Sequence, residues 1–136
     1  MSSNYIIADV FSALRNIRNR YMKRTTVVPY SIFAEKLLKL LQENGYIINY
    51  KVSEIRKNVK VISVQIRFDA SGFNVISNVK FYSKPSRRFY VGIDELRTYT
   101  CKSKAGLVVV STDKGVKSGY EAIRAGIGGE LICIIL

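Results

Sequence analysis

The stretch that most constrains the fold of this chain is residues 107–136, LVVVSTDKGVKSGYEAIRAGIGGELICIIL. Its first four residues are apolar and mostly β-branched, which predicts a buried strand. The polar run Ser111-Thr112-Asp113-Lys114-Gly115 follows directly and predicts a loop. The apolar run Leu131–Leu136 predicts a second strand. The C-terminal segment is therefore predicted as strand, polar loop, short helix and strand, in that order.

A capping box and several glycines predict the limits of the short helix. Ser118 and Glu121 have the spacing in which each side chain bonds the other residue's backbone amide, so the helix is expected to start near Gly119. Gly126 is expected to end it, because glycine adopts the positive φ angle found just past a helix. Gly128-Gly129 then permits a tight turn into the last strand.

The N-terminal half alternates helical and strand patterns. Apolar residues recur at helical spacing within residues 5–20, and Ser3 or Asn4 is available to cap this helix. Its opposite face carries Arg15 and Arg18. The remaining elements are a strand at Thr25–Val28, a helix from Ser31 to Asn44-Gly45, and strands at Tyr46–Val52 and Val59–Phe68. This half is predicted as helix, strand, helix, strand, strand.

A module boundary is predicted at Asp69-Ala70-Ser71-Gly72, which interrupts two long β-type runs and divides the chain into residues 1–70 and 71–136. In the second module we expect strands at Phe73–Tyr82 and Arg87–Val91, a turn at Lys84-Pro85-Ser86, a brief helical turn at Ile93–Leu96 and a loop over residues 97–106. The predicted class is α+β, with two small α/β modules. The C-terminal module is mostly β, with one short helix.

The chain is strongly basic, with 22 Lys and Arg against 10 Asp and Glu and a net charge of +12. Both halves carry an excess of basic residues, so the charge belongs to the folded body and not to a tail. This balance indicates a polyanionic partner. It favours contact of Arg15 and Arg18 with phosphates over the alternative, an ordinary solvated helix face.

Several classes of function are disfavoured by composition. No apolar run approaches the about 18 residues needed to span a bilayer, and the first residues lack a secretory-signal pattern, so we expect no membrane partner. There is no histidine, which is the commonest general base and transition-metal ligand. Cys101 and Cys133 are expected to be free thiols without a role. We therefore expect no catalytic residue, metal, cofactor or small-molecule substrate.

Two enzymatic interpretations of the polar loop are disfavoured, one by missing companion motifs and the other by residue order. Ser111 and Lys114 match the S-x-x-K spacing of penicillin-recognising enzymes, in which the lysine lies one helical turn from the serine and activates it. The companion Ser-Asp-Asn and Lys-Thr-Gly motifs are missing, so a hydrolase stays a minor alternative. Lys114-Gly115 also reverses the order of glycine and lysine that a nucleotide-binding loop requires.

The polar loop is better interpreted as a recognition element. Short hydroxyl side chains beside free backbone amides fit ribose hydroxyls, base edges and phosphates without steric conflict. Ser118 and Glu121 are explained by the helix cap, whereas Ser111, Thr112 and Lys114 are not needed for it. The alternatives are a simple turn for the loop, and a free-standing DNA-binding module for the chain.

Short motifs along nearly the whole chain recur in one known family. In the C-terminal part they are Ser111-Thr112, Lys114-Gly115-Val116, Glu121-Ala122 and Gly128-Gly129-Glu130. Upstream they are the segment IADVFSALRNIRN, which ends at Asn19, and Ser83-Lys84-Pro85, Arg88, Tyr90 and Asp94-Glu95-Leu96. With order and spacing kept, this pattern resembles the family of small-ribosomal-subunit protein eight, in its bacterial and organellar form.

The resemblance implies two small α/β modules, no enzymatic activity, and a primary binder of the central domain of small-subunit ribosomal RNA. Such a protein supports subunit assembly and translation beside neighbouring ribosomal proteins. Carried over by position, Ser111 and Thr112 would make specific contacts at a distorted RNA helix, and Lys114 would bind phosphate. Tyr90 and Glu130 would support this site. The other residues implied in RNA binding are Gly115, Lys84 and Arg88, with Arg15 and Arg18 in the first module.

Three positions depart from the pattern of that family. Asp113 stands where a second serine is usual, Lys117 where methionine is usual, and Ser86 where glycine is usual. An anion facing a phosphate weakens binding, so we expect Asp113 to accept a hydrogen bond from an amino or hydroxyl group, or to pair with Lys114 or Lys117. These departures, with a residue usage rich in Ile, Tyr, Asn and Lys, whose codons are AT-rich, favour an organellar, mitochondrial ribosome over a bacterial one.

Overall fold

A computed structural model describes residues 3–76, 78–84, 86–102 and 106–135, without the side chains of residues 3–6 and 102. The chain divides into two units, Ser3–Ser77 and Asn78–Leu136. No helix within the described ranges is both long and apolar enough to cross a membrane.

The described residues of the first unit form two helices and three strands. They are α1 (Ser3–Asn16), β1 (Thr25–Pro29), α2 (Ile32–Glu43), β2 (Ile47–Arg56) and β3 (Val59–Ile66). The strands form an antiparallel sheet in the order β1-β3-β2. Ile62, Val64 and Ile66 alternate along β3 and are fully buried, so one face of this sheet belongs to the core of the unit. This order of elements confirms the helix, strand, helix, strand, strand prediction.

The second helix has the predicted limits. The Ser31 hydroxyl accepts a hydrogen bond from the backbone N–H of Ala34 at 2.9 Å and satisfies a donor that the first helical turn leaves unpaired. At the other end, the Asn44 side chain donates to the carbonyl oxygen of Leu40 at 2.8 Å. Gly45 follows with a φ of 79°, which turns the chain into β2.

The first helix ends at Asn16, earlier than the predicted residue 20. The reason is a buried side chain from a distant part of the chain. The Asn74 amide donates to the carbonyl oxygens of Leu14 and Ile17 at 2.8 and 2.7 Å, which satisfies carbonyls that the helix terminus leaves free. The side chains of Ser3 and Asn4, predicted as alternative caps, lie outside the described part of the structure.

The strand predicted at Phe73–Tyr82 is wrong over most of its length. Within the described residues of this range, only Val79–Phe81 forms a strand, and Ser77 lies outside them. Phe73 and Asn74 instead form isolated bridges with Asn19 and Phe68. The predicted module boundary after residue 70 therefore falls inside the first unit, because residues 73 and 74 are hydrogen-bonded to that unit.

Five strands among the described residues of the second unit form one sheet. The elements of this unit are β4 (Val79–Phe81), β5 (Tyr90–Val91), α3 (Ile93–Lys102), β6 (Leu107–Thr112), β7 (Gly115–Ser118), α4 (Gly119–Ala125) and β8 (Gly129–Ile135). The strand order is β4-β8-β6-β7, and β5 also pairs with β8. β8 is therefore the central strand, with β4 and β5 side by side along one edge of it and β6 along the other.

In the part of the second unit that the structure describes there are two helices, where one short helix was predicted. The brief turn expected at Ile93–Leu96 continues as a helix to Lys102, so residues 97–102 are not a loop. Leu96 and Thr100, one turn apart, are both buried, and the Thr100 hydroxyl donates to the Leu96 carbonyl oxygen at 2.8 Å. Residues 103–105 of the predicted loop lie outside the described part of the chain.

The region predicted as a strand at Arg87–Val91 pairs as a strand only at Tyr90–Val91. Before it, Lys84 and Arg87 exchange backbone hydrogen bonds of 2.9 and 3.0 Å and close a tight turn. Pro85, which was predicted in this turn, is outside the described residues. The segment is held by an aromatic cluster of Tyr82, Phe89 and Tyr99, whose ring centroids are 5.2 to 6.0 Å apart.

The predicted polar loop is a β-hairpin. Ser111 and Thr112 end β6 and Gly115 starts β7, so only Asp113 and Lys114 form the turn. The helix that follows has the predicted limits. The Ser118 hydroxyl accepts from the Glu121 N–H at 3.2 Å, and Gly126 has a φ of 72°. The last strand begins at Gly129, two residues before the predicted start, and its predicted final residue, Leu136, lies outside the described part.

Candidate nucleic-acid interface

One row of side chains crosses the sheet of the second unit. In the register of the antiparallel strands, Tyr90 lies opposite Glu130, Glu130 opposite Ser111, and Ser111 opposite Val116. Directly opposite residues of adjacent strands project from the same face of a sheet. The neighbours Val110 and Leu131 project from the other face, where they form a core cluster with Leu96 of α3 and Ala122 of α4. The predicted residues Tyr90, Glu130 and Ser111 are therefore brought together on the face opposite these helices.

Two members of this row offer groups that a ligand could contact, a hydroxyl and an aromatic ring. No hydrogen bond is found for the Ser111 hydroxyl, which is partly exposed, among the described residues. The Tyr90 side chain is 69% exposed. A hydroxyl donates one hydrogen bond and accepts two, so Ser111 keeps its full capacity for a ligand. The ring of Tyr90 adds a flat surface for stacking.

Glu130 has a different role, because protein groups already occupy its carboxylate. The carboxylate accepts a hydrogen bond from the Ser83 hydroxyl and forms an ion pair with Arg88 at 3.2 Å. Ser83 is 3% exposed, and its oxygen also accepts from the Phe89 N–H at 3.3 Å. Glu130 therefore anchors Arg88, at the edge of the site, to the central strand.

The hairpin turn is held by the side chain of Thr112. Its hydroxyl donates to the Gly115 carbonyl oxygen at 2.8 Å and accepts from the Lys114 N–H at 3.2 Å. Gly115 has a φ of 110°, which residues with a side chain rarely adopt. Thr112 was predicted to make specific RNA contacts beside Ser111, but two of its three hydrogen-bonding positions are used inside the protein. Its first function is to shape the turn.

The tip of the hairpin presents one cation and one anion to solvent. Lys114 and Asp113 are both exposed. Within the described residues, Asp113 makes no ion pair with Lys114 or Lys117, although such a pair was one of the two expectations for it. The other expectation, that Asp113 accepts a hydrogen bond from an amino or hydroxyl group, stays a prediction.

Close backbone packing places Ser111 beside Glu130. A β-carbon at Gly129 would overlap the carbonyl oxygen of Ser111, and one at Gly128 would come within 2.5 Å of the carbonyl oxygen of Val91. The predicted reason for these glycines, a tight turn, is not the physical one, because neither has a positive φ angle. They are needed because the neighbouring strands approach too closely for a side chain.

The remaining predicted residues lie outside this row. Lys84 is exposed in the turn before Arg88. Arg15 and Arg18 belong to the first unit, where both are exposed and line a groove with Phe73 and Asn74. Sequence reasoning assigned no role to Ser83 or Phe73. Neither carries a local signal, because the role of each depends on contacts with distant parts of the chain.

The structure does not provide the geometry of a hydrolase. Ser111 lies in a strand and Lys114 in a hairpin turn, so the lysine is not one helical turn from the serine, as the S-x-x-K mechanism requires. No group of three or more His, Cys, Asp or Glu side chains that could hold a metal ion occurs among the residues described. Burial raises the pKa of the Cys133 thiol, which keeps this thiol protonated and unreactive.

Comparison with known proteins decides the family. The sequence model of the family described as ribosomal protein S8 matches residues 5–136. The chain belongs to the ribosomal protein S8 family. The small ribosomal subunit protein uS8 of a Nitratiruptor species is 42% identical over 135 residues, which cover 97% of this chain and 98% of that protein. The proteins of the same name from Campylobacter lari and Campylobacter hominis are 42% and 41% identical, with the same coverage.

Membership of the ribosomal protein S8 family confirms the resemblance found in the sequence motifs. It supports a structural role in the small ribosomal subunit, and the family is not enzymatic. These relatives are bacterial proteins, so they do not support the expectation of a mitochondrial ribosome.

Proposed function

We propose that this protein binds the central domain of small-subunit ribosomal RNA, beside neighbouring ribosomal proteins, and so supports subunit assembly and translation. The observation that carries the proposal is the Ser111 hydroxyl, which has no hydrogen bond to any residue that the structure describes. It lies in one row with the exposed ring of Tyr90 and next to a turn that presents Lys114. This combination offers a hydrogen-bonding group, a stacking surface and a cation at neighbouring positions of one sheet. RNA is recognised by these three kinds of contact.

The residues of this site divide into contacts that specify and contacts that position. Ser111 and Tyr90 suit base edges, ribose hydroxyls or base faces, which differ between RNA sites. Lys114, Lys84 and Arg88 suit phosphates, which are the same in every RNA. Thr112, Gly115 and Glu130 act through the others, because they shape the turn or hold Arg88.

Positive charge on the first unit adds affinity without specificity. Arg15 and Arg18 are exposed, and neither forms an ion pair within the described part of the chain. Each phosphate that they neutralise releases a counterion, so binding is expected to weaken steeply with salt. Replacing both by Gln is expected to weaken binding to specific and unrelated RNA alike.

The experiment is a filter-binding series with Ser111→Ala, using a central-domain fragment, an unrelated RNA of equal length and a DNA duplex. We expect Ser111→Ala to weaken central-domain binding by about 1 to 3 kcal/mol, the cost of leaving a buried polar partner unpaired. Binding to unrelated RNA is expected to stay unchanged, because no charge is lost. The matched control is Thr98→Ala, which removes a hydroxyl that donates within α3 to the Asp94 carbonyl oxygen at 3.2 Å.

Two outcomes would count against the proposal in different ways. If folded Ser111→Ala binds the central domain as well as the parent protein, the assignment of this hydroxyl is wrong. If the parent protein binds the central domain no better than DNA duplex, a free-standing nucleic-acid-binding module is the better description. Co-sedimentation with the small subunit after a salt wash checks the association with the ribosome directly.

A further inference from the structure

The first unit carries a groove of about 580 Å³ whose lining combines an aromatic ring with two arginines. It is lined by Ser12, Arg15, Asn16, Arg18, Phe73, Asn74 and Ile76. This volume is within the range of small-molecule sites, about 300 to 1,000 Å³, and is large enough for a nucleotide. The proposed function uses Arg15 and Arg18 only as positioning charges and gives no role to the ring or to the groove.

The groove is held in shape by hydrogen bonds between two segments. The N–H of Asn74 donates to the carbonyl oxygen of Arg18 at 2.9 Å, and the N–H of Arg20 donates to that of Gly72 at 3.0 Å. The Asn74 side chain is buried and is bound to the end of α1 through the carbonyl oxygens of Leu14 and Ile17. Phe73 therefore sits at a fixed place beside Arg18.

The Phe73 ring is 58% exposed although its chain neighbours on both sides, Gly72 and Asn74, are buried. It makes no ring-ring contact with another described aromatic residue. An exposed aromatic ring on a rigid backbone is a stacking surface for a nucleobase, and stacking is possible with every base.

The two arginines can bind the phosphates on either side of a stacked base. Both guanidinium groups are free of ion pairs among the described residues, and both line the same groove as the ring. A guanidinium group binds phosphate through two parallel hydrogen bonds. The groove thus combines an aromatic face with phosphate-binding groups, which is the usual composition of a site for single-stranded RNA.

We propose that this groove binds an unpaired nucleotide of RNA, with its base stacked on Phe73 and its flanking phosphates bound by Arg15 and Arg18. The inference rests on the proposed function as an RNA-binding protein and adds a second site, on a different unit, with a different ligand. A base inside a paired helix is already stacked on its neighbours and cannot stack on the Phe73 ring. The site therefore selects unpaired nucleotides. A protein segment is the competing occupant.

The test uses the full chain and a single-stranded ten-nucleotide RNA that carries one 5-iodouridine, a base that cross-links on irradiation to an aromatic ring stacked on it. We expect the cross-link to map to Phe73 by mass spectrometry. Phe73→Leu is expected to weaken binding of this RNA by about 5- to 150-fold, the effect of losing one stacked base. Phe73→Tyr keeps the ring and is expected to restore binding.

Three controls separate stacking from charge and from loss of the fold. Tyr120→Ala removes another exposed ring, 63% exposed on α4, and is expected to leave binding unchanged. Phe73→Leu is expected to leave the slope of log affinity against log salt unchanged. Replacing Arg15 and Arg18 by Gln is expected to make this slope shallower by about 1.4, at roughly 0.7 for each phosphate of a single strand. Thermal melts confirm that each variant is folded.

The inference is overturned if the cross-link maps elsewhere, or if Phe73→Leu binds the single strand normally. It is also overturned if Phe73→Leu weakens binding of a fully paired RNA duplex equally. Normal RNA binding by Phe73→Leu with loss of a ribosomal protein partner would assign the groove to protein. Because the probe is a generic single strand, these results do not depend on central-domain recognition, which Ser111→Ala tests separately.

Discussion

The carbonyl oxygen of Ser111 lies so close to Gly129 that a β-carbon on Gly129 would overlap it. Both residues belong to adjacent strands of the second unit, β6 and β8. The approach places Ser111 directly opposite Glu130, the next residue along β8. A backbone contact at a single glycine therefore supports the row of residues that forms the candidate interface.

Replacing Gly129 by Ala is expected to destabilise the protein. The overlapping atom is a backbone oxygen, so the strands must move apart, which costs about 1 to 3 kcal/mol by analogy with overpacked cores. The free energy of unfolding in urea measures this effect. Gly92→Ala is the matched control, because no atom lies within 4 Å of a β-carbon there. Equal stability of the two variants would contradict the close packing of β6 and β8.

Thr112 and Ser111 are expected to respond differently to removal of their hydroxyls. Thr112→Ala loses two hydrogen bonds of the hairpin turn and is expected to lower the free energy of unfolding by about 1 to 2 kcal/mol. Thr112→Ser keeps the hydroxyl and should restore most of this stability. Ser111→Ala should leave stability unchanged and weaken RNA binding. If Thr112→Ala melts like the parent protein, the turn does not depend on its hydroxyl.

Neutralising Lys114 is expected to reduce the salt dependence of RNA binding. The plot of log affinity against log salt should become shallower by about 0.7 to 0.9, the contribution of one phosphate contact. The control is Lys39→Gln, which removes an equal charge from an exposed position of α2. Affinity for specific and unrelated RNA should fall together in Lys114→Gln. A slope that changes equally in both variants would show that only net charge matters.

The two cysteines are expected to differ in reactivity toward iodoacetamide. Cys101 is exposed on α3, whereas Cys133 is buried in β8, where burial raises its pKa and suppresses the reactive thiolate. Native protein should therefore be alkylated at Cys101 alone, and both thiols should react in urea. Peptide mass mapping gives the result. Rapid modification of Cys133 in folded protein would contradict its burial.

Local patterns predicted the elements whose ends depend on neighbouring residues alone. Ser31 and Ser118 accept hydrogen bonds from N–H groups three residues away, and Gly126 takes a positive φ angle at the end of its helix. Such contacts span one helical turn, so the spacing of residue types is enough to predict them. The Ser111 hydroxyl was also proposed from sequence as a binding group, because the cap does not need it, and this stays a prediction.

The interface itself was decided by tertiary structure. Nothing in the segment Gly115–Ser118 has the alternation of a strand, and it becomes β7 only because the turn folds it back onto β6. Phe73 has an apolar side chain in a β-type run, yet it faces solvent, because Asn74 binds the end of α1 instead of a neighbouring strand. Tyr90, Glu130 and Ser111 are far apart in sequence and meet because β8 pairs with both β5 and β6.

Strand pairing and burial depend on residues distant along the chain, whereas periodicity and capping depend on near neighbours. The sequence alone therefore determined most element types and the helix caps, while the packed sheet determined which side chains lie together in the candidate site.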